Sequence, residues 1–127
     1  MQGILKMENQ DKSKSYNITP CPAPRMTRAD SWKQRPCVLR YWEFKDACRE
    51  NAITFDNGQD ITFVIPFPKS YSKKKKTSLD GQPHTIKPDV DNLMKSVLDA
   101  IYKDDSHIWH IGSIKKIWGF EGKIIIK

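Results

Sequence analysis

The chain has 127 residues, a hydrophobic fraction of 38% and a formal net charge of +7. This length predicts one domain with a single hydrophobic core, and an aromatic fraction of 10% supplies much of the apolar area that a core needs, which excludes a disordered chain. No apolar run approaches the roughly 18 residues of a membrane-spanning helix, so a soluble protein is expected. The positive charge favours an anionic partner such as nucleic acid.

Cysteine usage and the N-terminal residues indicate where the protein works. Cys21, Cys37 and Cys48 are odd in number and lack the close spacing of a metal-binding pair. No signal-peptide pattern precedes them, so a reducing, cytoplasmic setting is expected. Residues 1–14 are polar without periodicity and predict a flexible leader, which leaves residues 15–127 as the single domain.

A proline-rich, basic segment follows the leader. Prolines at positions 20, 22, 24 and 36 predict an extended strand at a sheet edge or a loop. The cations between them should stay exposed, where they either follow a DNA backbone or are ordinary surface charge. These cations are Arg25, Arg28, Lys33 and Arg35.

The next two elements are a helix and a buried strand. Over residues 37–51 apolar side chains recur at helical spacing without proline or glycine, which predicts a helix. Residues 60–67 are rich in Ile, Val, Phe and Thr and are closed by prolines, which predicts a strand inside the sheet.

A polar stretch over residues 69–87 predicts a mobile basic loop. It contains four consecutive lysines, whose like charges repel one another. The loop is either simply solvated or binds phosphate, and its position directly before an acidic segment favours phosphate binding. The candidate DNA-binding lysines are Lys73, Lys74, Lys75 and Lys76.

The acidic segment KPDVDNLMKSVLDAIYKDD, residues 87–105, predicts a helix that begins at its first carboxylates. Pro88 disfavours helix before it, and Asp89 is well placed to cap the helix. At about 100° per residue, the polar residues of the helix share one face opposite an apolar face. These polar residues are Asp91, Asn92, Lys95, Ser96 and Asp99.

Two interpretations fit the charges of this segment. Asp91, Lys95 and Asp99 lie one turn apart and could form a ladder of ion pairs. That ladder leaves Asp89, Asp104 and Asp105 unexplained, so the alternative is that the carboxylates converge on a divalent cation, Mg²⁺ or Mn²⁺ in its place. Asp104 and Asp105 lie beyond the far end of the helix, and either the sheet or a second subunit must bring them to the others.

The chain closes with two predicted strands, residues 107–118 and 123–126, joined as a hairpin around residues 119–122. The order β, α, β, loop, α, β, β predicts an α+β fold, a small mixed β-sheet of about four strands packed against two main helices.

Four aromatic or imidazole side chains lie on the first of these strands. Trp109 and Trp118 fit core-facing positions, with base stacking as the alternative. His107 and His110 are three residues apart and would point to opposite faces of the strand, which favours stacking or solvated histidines over a zinc site.

The stretch from Lys87 to Asp105 resembles the RusA-type Holliday junction resolvase family, in which a PDxDN block opens a helix, a lysine follows and an acidic pair precedes a strand. Here the block is residues 88–92, the lysine is Lys95 and the pair is Asp104 with Asp105. The resemblance implies a bacterial or phage-encoded homodimeric, Mg²⁺-dependent endonuclease that resolves four-way DNA junctions by paired nicks in recombination and repair.

The resemblance also implies roles for individual residues. Asp89, Asp91 and Asp105 would be catalytic metal ligands and Lys95 the essential cation. Asp104 is the alternative ligand, because neighbours in an extended chain face opposite ways and only one of the pair should reach the metal. The alternative function is a non-catalytic DNA-binding protein for branched DNA, in which the acidic segment only caps and pairs.

Overall fold

The computed structural model describes residues 13–24 and 35–127 of the chain. These residues form a four-stranded mixed sheet and three helices, which confirms the predicted α+β class. Most of the predicted leader, and the cations Arg25, Arg28 and Lys33, lie outside the described residues. In the described ranges, none of the helices has the length and apolar character that crossing a membrane requires.

The helices and strands follow the predicted order, with one addition. In chain order they are β1 (Lys14–Tyr16), α1 (Pro36–Glu50), β2 (Ile61–Pro66), α2 (Lys73–Leu79), α3 (Val90–Ile101), β3 (Ile114–Gly119) and β4 (Lys123–Ile126). The addition is α2, which lies inside the segment predicted to be a loop. Strand β1 begins at the last residue of the predicted leader and ends before the proline-rich segment.

Strand β2 lies in the interior of the sheet, as predicted. The strand order is β1-β4-β2-β3, with β2 parallel to β3 and antiparallel to β4. The predicted hairpin between β3 and β4 is therefore wrong, because β2 lies between them. Neighbouring strands are about 4.8 Å apart, so the link after β3 crosses about 10 Å, which three extended residues can span. The most apolar strand thereby gains a partner on both edges.

The core lies between the sheet and helices α1 and α3. Alternate residues of β2, Ile61 and Phe63, are fully buried, as are Leu93 and Val97 one turn apart on α3. Helix α1 begins with Pro36, at a position where a helix needs no backbone N–H. The apolar side chains that recur every second residue on the strand and every turn on the helix therefore pack together in one layer.

For two side chains the predicted burial is wrong: one predicted to be exposed is buried, and one predicted to be buried is exposed. Ser96 of α3 is fully buried, because its hydroxyl donates a hydrogen bond to the backbone oxygen of Leu93 at 2.8 Å and a small satisfied side chain fits the core. Trp109 is exposed, because residues 107–113 precede β3 and are not part of a strand. Trp118 of β3 is buried, as predicted.

Candidate active site

Helix α3 begins at Asp89, as the sequence predicts, but the Asp89 side chain does not cap it. The residue occupies the N-cap position with an extended backbone, and its carboxylate accepts no hydrogen bond from the first turn. The side chain is exposed to solvent. Among the described residues, both carboxylate oxygens are therefore available to an external cation or donor.

Asp91 lies in the first turn of α3 and is also exposed. Its Oδ1 accepts a hydrogen bond from the backbone N–H of Asn92 at 2.9 Å. The Asn92 side chain in turn donates to the backbone oxygen of Ala23 at 3.3 Å, which ties the N-terminal segment to the start of α3. Asp89 and Asn92 border a groove of about 490 Å³ between these two parts of the chain. The start of α3 therefore presents its carboxylates beside an open groove.

Lys95 lies one turn after Asp91, on the exposed side of α3. The predicted ladder of ion pairs is not formed, since among the described residues Lys95 makes no ion pair. Asp99 instead accepts a hydrogen bond from the Tyr41 hydroxyl of α1, with 3.4 Å between Tyr41 Oη and Asp99 Oδ2. Burial, and then the negative charge of Asp99, raise the pKa of Tyr41 to about 12, so its hydroxyl stays a neutral donor. Lys95 is left without a structural partner on its own helix.

Lys116 of β3, which was not among the predicted site residues, holds the turn into α3. Its ammonium donates hydrogen bonds to the backbone oxygens of Ile86 and Pro88, the second at 2.6 Å. Side chains alternate in direction along a strand, so one member of the Lys115–Lys116 pair had to face the helices, and this signal was readable in the sequence. Lys116 thus positions Asp89, the residue that directly follows Pro88.

In the acidic pair after α3, one carboxylate accepts a hydrogen bond from a described residue and the other does not. Asp104 Oδ1 accepts a hydrogen bond from the backbone N–H of Ser106 at 2.9 Å, and the hydrogen bonds from Ser106 hold the pKa of Asp104 below its usual range. Asp105 is half-buried, and its carboxylate makes no hydrogen bond or ion pair with any described residue. The pair therefore offers one available carboxylate, that of Asp105.

The predicted metal ligands lie at opposite ends of α3. The helix has 12 residues and rises about 1.5 Å per residue, so its ends are about 18 Å apart. Among the described residues, no three Asp, Glu, His or Cys side chains are grouped closely enough to hold a metal ion. One chain therefore does not assemble Asp89, Asp91 and Asp105 into a site. The exposed oxygens of Asp89 and Asp91 fit a hard divalent cation, whose other ligands would come from elsewhere.

The four lysines predicted to bind DNA lie on α2, beside the outer strand β3. Lys75 Nζ lies 3.9 Å from the centre of the Tyr71 ring, and Tyr71 packs against Trp118 of β3 with 5.7 Å between ring centres. Lys73 and Lys74 are exposed and make no ion pair within the described part of the chain. The basic segment thus presents its charge from a helix packed on the sheet.

Comparison with known proteins gives three matches. The protein-family model for endodeoxyribonuclease RusA matches residues 39–127, which include every described candidate site residue. The chain is 36% identical over 83 residues to the uncharacterized protein YqaN of Bacillus subtilis, a match that covers 59% of this chain and 58% of YqaN. It is 29% identical over 108 residues to the crossover junction endodeoxyribonuclease RusA of Aquifex aeolicus, covering 80% of this chain and 67% of that protein.

Proposed function

We propose, from the premise that this chain belongs to the RusA family of endodeoxyribonucleases, that it resolves four-way DNA junctions by paired nicks. The family match spans residues 39–127, more than half of the chain, and confirms the resemblance seen around the PDVDN block. Relatives from bacteria support a role in DNA recombination and repair in a bacterial cytoplasm. Because the match covers only 58% of YqaN, the activity of the whole protein is part of the proposal.

The observation that carries the proposal is the set of charges at α3 that have no structural role among the described residues. Asp89 does not cap its helix, and Lys95 forms no ion pair with Asp91 or with any other described residue. Both side chains are exposed beside a groove or on an open helix face. Capping and ion pairing, the ordinary reasons for such charges, do not account for them. An external partner that carries phosphate and a cation accounts for both signs of charge.

The proposed chemistry divides between carboxylates and a lysine. Asp89, Asp91 and Asp105 would hold Mg²⁺, which takes hard carboxylate oxygens and retains room for phosphate. When bound, the cation supplies Lewis-acid stabilisation of charge on the scissile phosphate. The Lys95 ammonium, one turn after Asp91, stabilises the negative charge that develops on the same phosphate. Asp104 is committed to its own turn and is the weaker candidate for the metal.

A homodimer supplies the missing ligand. About 15 Å of helix separates Asp91 from the end of α3 that precedes Asp105, and no complete metal site lies within the described part of one chain. We therefore expect the start of α3 in one subunit to meet the partner's Asp105. Two such composite sites would lie symmetrically on the dimer, which matches two nicks in one junction.

The DNA path follows from the exposed cations. Lys73 and Lys74 of α2 are unpaired within the described residues and extend from the outer edge of the sheet. Phosphate contacts by such side chains supply affinity without reading sequence. Arg25 and Arg28 follow Pro24 in the sequence and lie outside the described residues. We expect these four cations to contact the DNA backbone.

The function is tested by nicking of a synthetic four-way junction with Mg²⁺. Asp91→Asn and Lys95→Ala should each lower the nicking rate by about 100-fold or more while junction binding is retained. Asp99→Asn is the matched control on the same helix, because its carboxylate bonds to Tyr41 and should not touch DNA. Unchanged nicking in both active-site variants would reject the site. Binding without nicks in any divalent metal would identify a non-catalytic DNA-binding protein.

The composite site is tested by mixing two inactive variants. If each site takes Asp91 from one subunit and Asp105 from its partner, a heterodimer of Asp91→Asn and Asp105→Asn chains contains one intact site. Refolding the two variants together should then restore nicking of one strand. If each subunit carried a complete site, the mixture would stay as inactive as its components, and the composite arrangement would be wrong.

A further inference from the structure

Trp109 is the most exposed large apolar side chain among the described residues, with 81% of its surface open to solvent. Phe120 is next, at 55%. Tryptophan is the largest apolar side chain, and leaving it in water forgoes the stabilisation that burial in the core would give. The packing of the fold therefore does not explain a tryptophan at this position.

The backbone around Trp109 is held in place by one side chain. Asn57 Oδ1 accepts hydrogen bonds from the backbone N–H groups of Trp109 at 2.8 Å and His110 at 3.1 Å, and Asn57 Nδ2 donates to the backbone oxygen of His107 at 3.1 Å. Gly58, whose φ of +89° suits glycine, donates its N–H to the oxygen of His110 at 2.8 Å. The exposed indole thus projects from a fixed loop.

Both histidines of this loop contact aromatic rings, which is one of the two alternatives that the sequence left open. The His110 ring stacks on Trp109 with 5.3 Å between centres and 29° between planes. His107 meets the Tyr102 ring edge-on, with centres 4.7 Å apart. His110 backs the indole, while most of the indole surface remains open.

The loop also begins at a residue of the proposed active site. The backbone N–H of Ile108 donates to the backbone oxygen of Asp105 at 3.0 Å, which closes a turn between Asp105 and the start of the Trp109 loop. On the other side of that turn, the Tyr102 hydroxyl donates to the oxygen of Phe55 at 2.6 Å. A DNA strand whose phosphate lies at Asp105 would therefore have its bases close to Trp109.

We propose that Trp109, backed by His110, is a stacking platform for an unstacked nucleobase at the branch point of the DNA substrate. The proposal rests on the proposed function and deepens it. An aromatic ring binds the face of any base without reading its identity, and a ring fixed before binding loses little entropy when the base arrives. The neighbouring exposed residues Ser106, His107 and Gly112 are not the extended apolar patch that a protein interface requires. The net charge of +7 likewise favours nucleic acid.

The test compares Trp109→Ala, Trp109→Phe and Trp42→Ala in the full chain. Trp42 of α1 is 36% exposed and lies outside the proposed site, so it controls for loss of a partly exposed tryptophan. Each protein is titrated with a four-way junction that carries 2-aminopurine at the branch point, and with a linear duplex of the same sequence. Fluorescence of the 2-aminopurine reports stacking directly, independently of cleavage.

Trp109→Ala should bind the junction about tenfold more weakly, consistent with the loss of one aromatic–base stack, and should bind the duplex within about twofold of wild type. Trp109→Phe should regain most of the junction affinity and fluorescence change, whereas Trp42→Ala should match wild type. If Trp109→Ala and Trp42→Ala bound the junction with equal affinity, the proposal that Trp109 stacks on a base would be overturned. Conversion of the dimer to a monomer by Trp109→Ala would also overturn it, because the indole would then lie between two copies. Failure of the wild type to bind junctions at all would instead reject the proposed function.

Discussion

The ammonium of Lys116 lies 2.6 Å from the backbone oxygen of Pro88, the residue that directly precedes Asp89. Lys116 aligns with the buried Phe63 in the parallel pairing of β3 with β2, and aligned residues of parallel strands face the same way. Its aliphatic stem therefore runs along the helix-covered face of the sheet. One lysine connects the sheet to the turn that sets the position of Asp89.

Replacing this lysine by methionine should affect both stability and cleavage. Lys116→Met keeps the stem but loses two hydrogen bonds from a charged donor to backbone oxygens, each worth about 2 kcal/mol. We expect the free energy of unfolding to fall by about 4 kcal/mol in urea titrations and the nicking rate to fall at temperatures where the variant is folded. Lys115→Met is the matched control, because Lys115 is exposed and faces the other way. Equal behaviour of the two variants would exclude a positioning role for Lys116.

His84 predicts a specific loss of stability in mild acid. Its side chain is buried against Trp118, with 4.2 Å between ring centres, and its Nδ1 has no hydrogen-bond partner among the residues that the structure describes. Burial, and then the charge of Lys116, lower the pKa of His84 below its ordinary value of 6.5. The stability that neutral, buried His84 contributes to the fold is therefore fully present above pH 6.5. It is lost as the pH falls below 6.5, because His84 takes up a proton in the unfolded chain at a higher pH than in the folded one.

The variant His84→Phe isolates this effect. Phenylalanine retains the ring on Trp118 and removes both the titration and the unpaired nitrogen. The difference in unfolding free energy between variant and wild type should grow as the pH is lowered from 7 to 5.5, by at most about 1.4 kcal/mol per pH unit for one proton. His110→Gln, which removes an exposed histidine, is the matched control. Parallel curves for His84→Phe and wild type would show that His84 takes up its proton equally in both states.

The long periodic elements of this fold could be read from the sequence because each is decided by its own residues. The spacing of apolar side chains sets α1 and α3, and the run ITFVIP sets β2 as the central strand. The α2 helix was also readable in part. Ser72 precedes it, and its hydroxyl accepts a hydrogen bond from the backbone N–H of Lys75 at 3.2 Å, a capping arrangement that offsets part of the repulsion among the lysines.

Features that depend on distant parts of the chain could not be read in this way. A short link between β3 and β4 normally predicts that these two strands pair as a hairpin. They are separated only because β2 lies between them and pairs with both. The exposure of Trp109 depends on hydrogen bonds from Asn57, 52 residues earlier. The proposed site shows the same limit, because the sequence identifies Asp89 and Asp105 as chemical candidates, whereas their proposed meeting requires contacts between two subunits.

The exposed lysines of α2 predict a steep salt dependence of DNA binding. Removing one lysine that binds a phosphate should reduce the slope of log K against log salt by about 0.9 for duplex DNA. Lys73→Gln combined with Lys74→Gln should therefore reduce the slope by about 2, measured by fluorescence anisotropy between about 50 and 200 mM salt. Lys14→Gln combined with Lys127→Gln changes the net charge equally, at the opposite edge strand β1 and at the end of its neighbour β4. If both double variants reduce the slope alike, α2 is not part of the DNA path.

Added Mg²⁺ should stabilise the protein, and the acidic pair after α3 should reveal which carboxylate binds it. Two carboxylates about 4 Å apart repel by about 4 kcal/mol at an effective dielectric near 20, and a divalent cation relieves that repulsion. At a Mg²⁺ concentration about ten times its dissociation constant the folded state gains about 1.4 kcal/mol, which raises the melting temperature by about 5 °C for a chain of this size.

The discriminating measurement is this Mg²⁺-dependent rise in single-residue variants at dimer-forming concentration. Asp105→Asn should abolish the rise, whereas Asp104→Asn should retain it, because Asp104 is engaged by Ser106 and Asp105 is uncommitted. Asp91→Asn should behave like Asp105→Asn if the two carboxylates share one ion. If Asp104→Asn abolished the rise and Asp105→Asn retained it, Asp104 would be the metal ligand. If Mg²⁺ left the melting temperature of the wild type unchanged, the carboxylates would not converge even in the dimer.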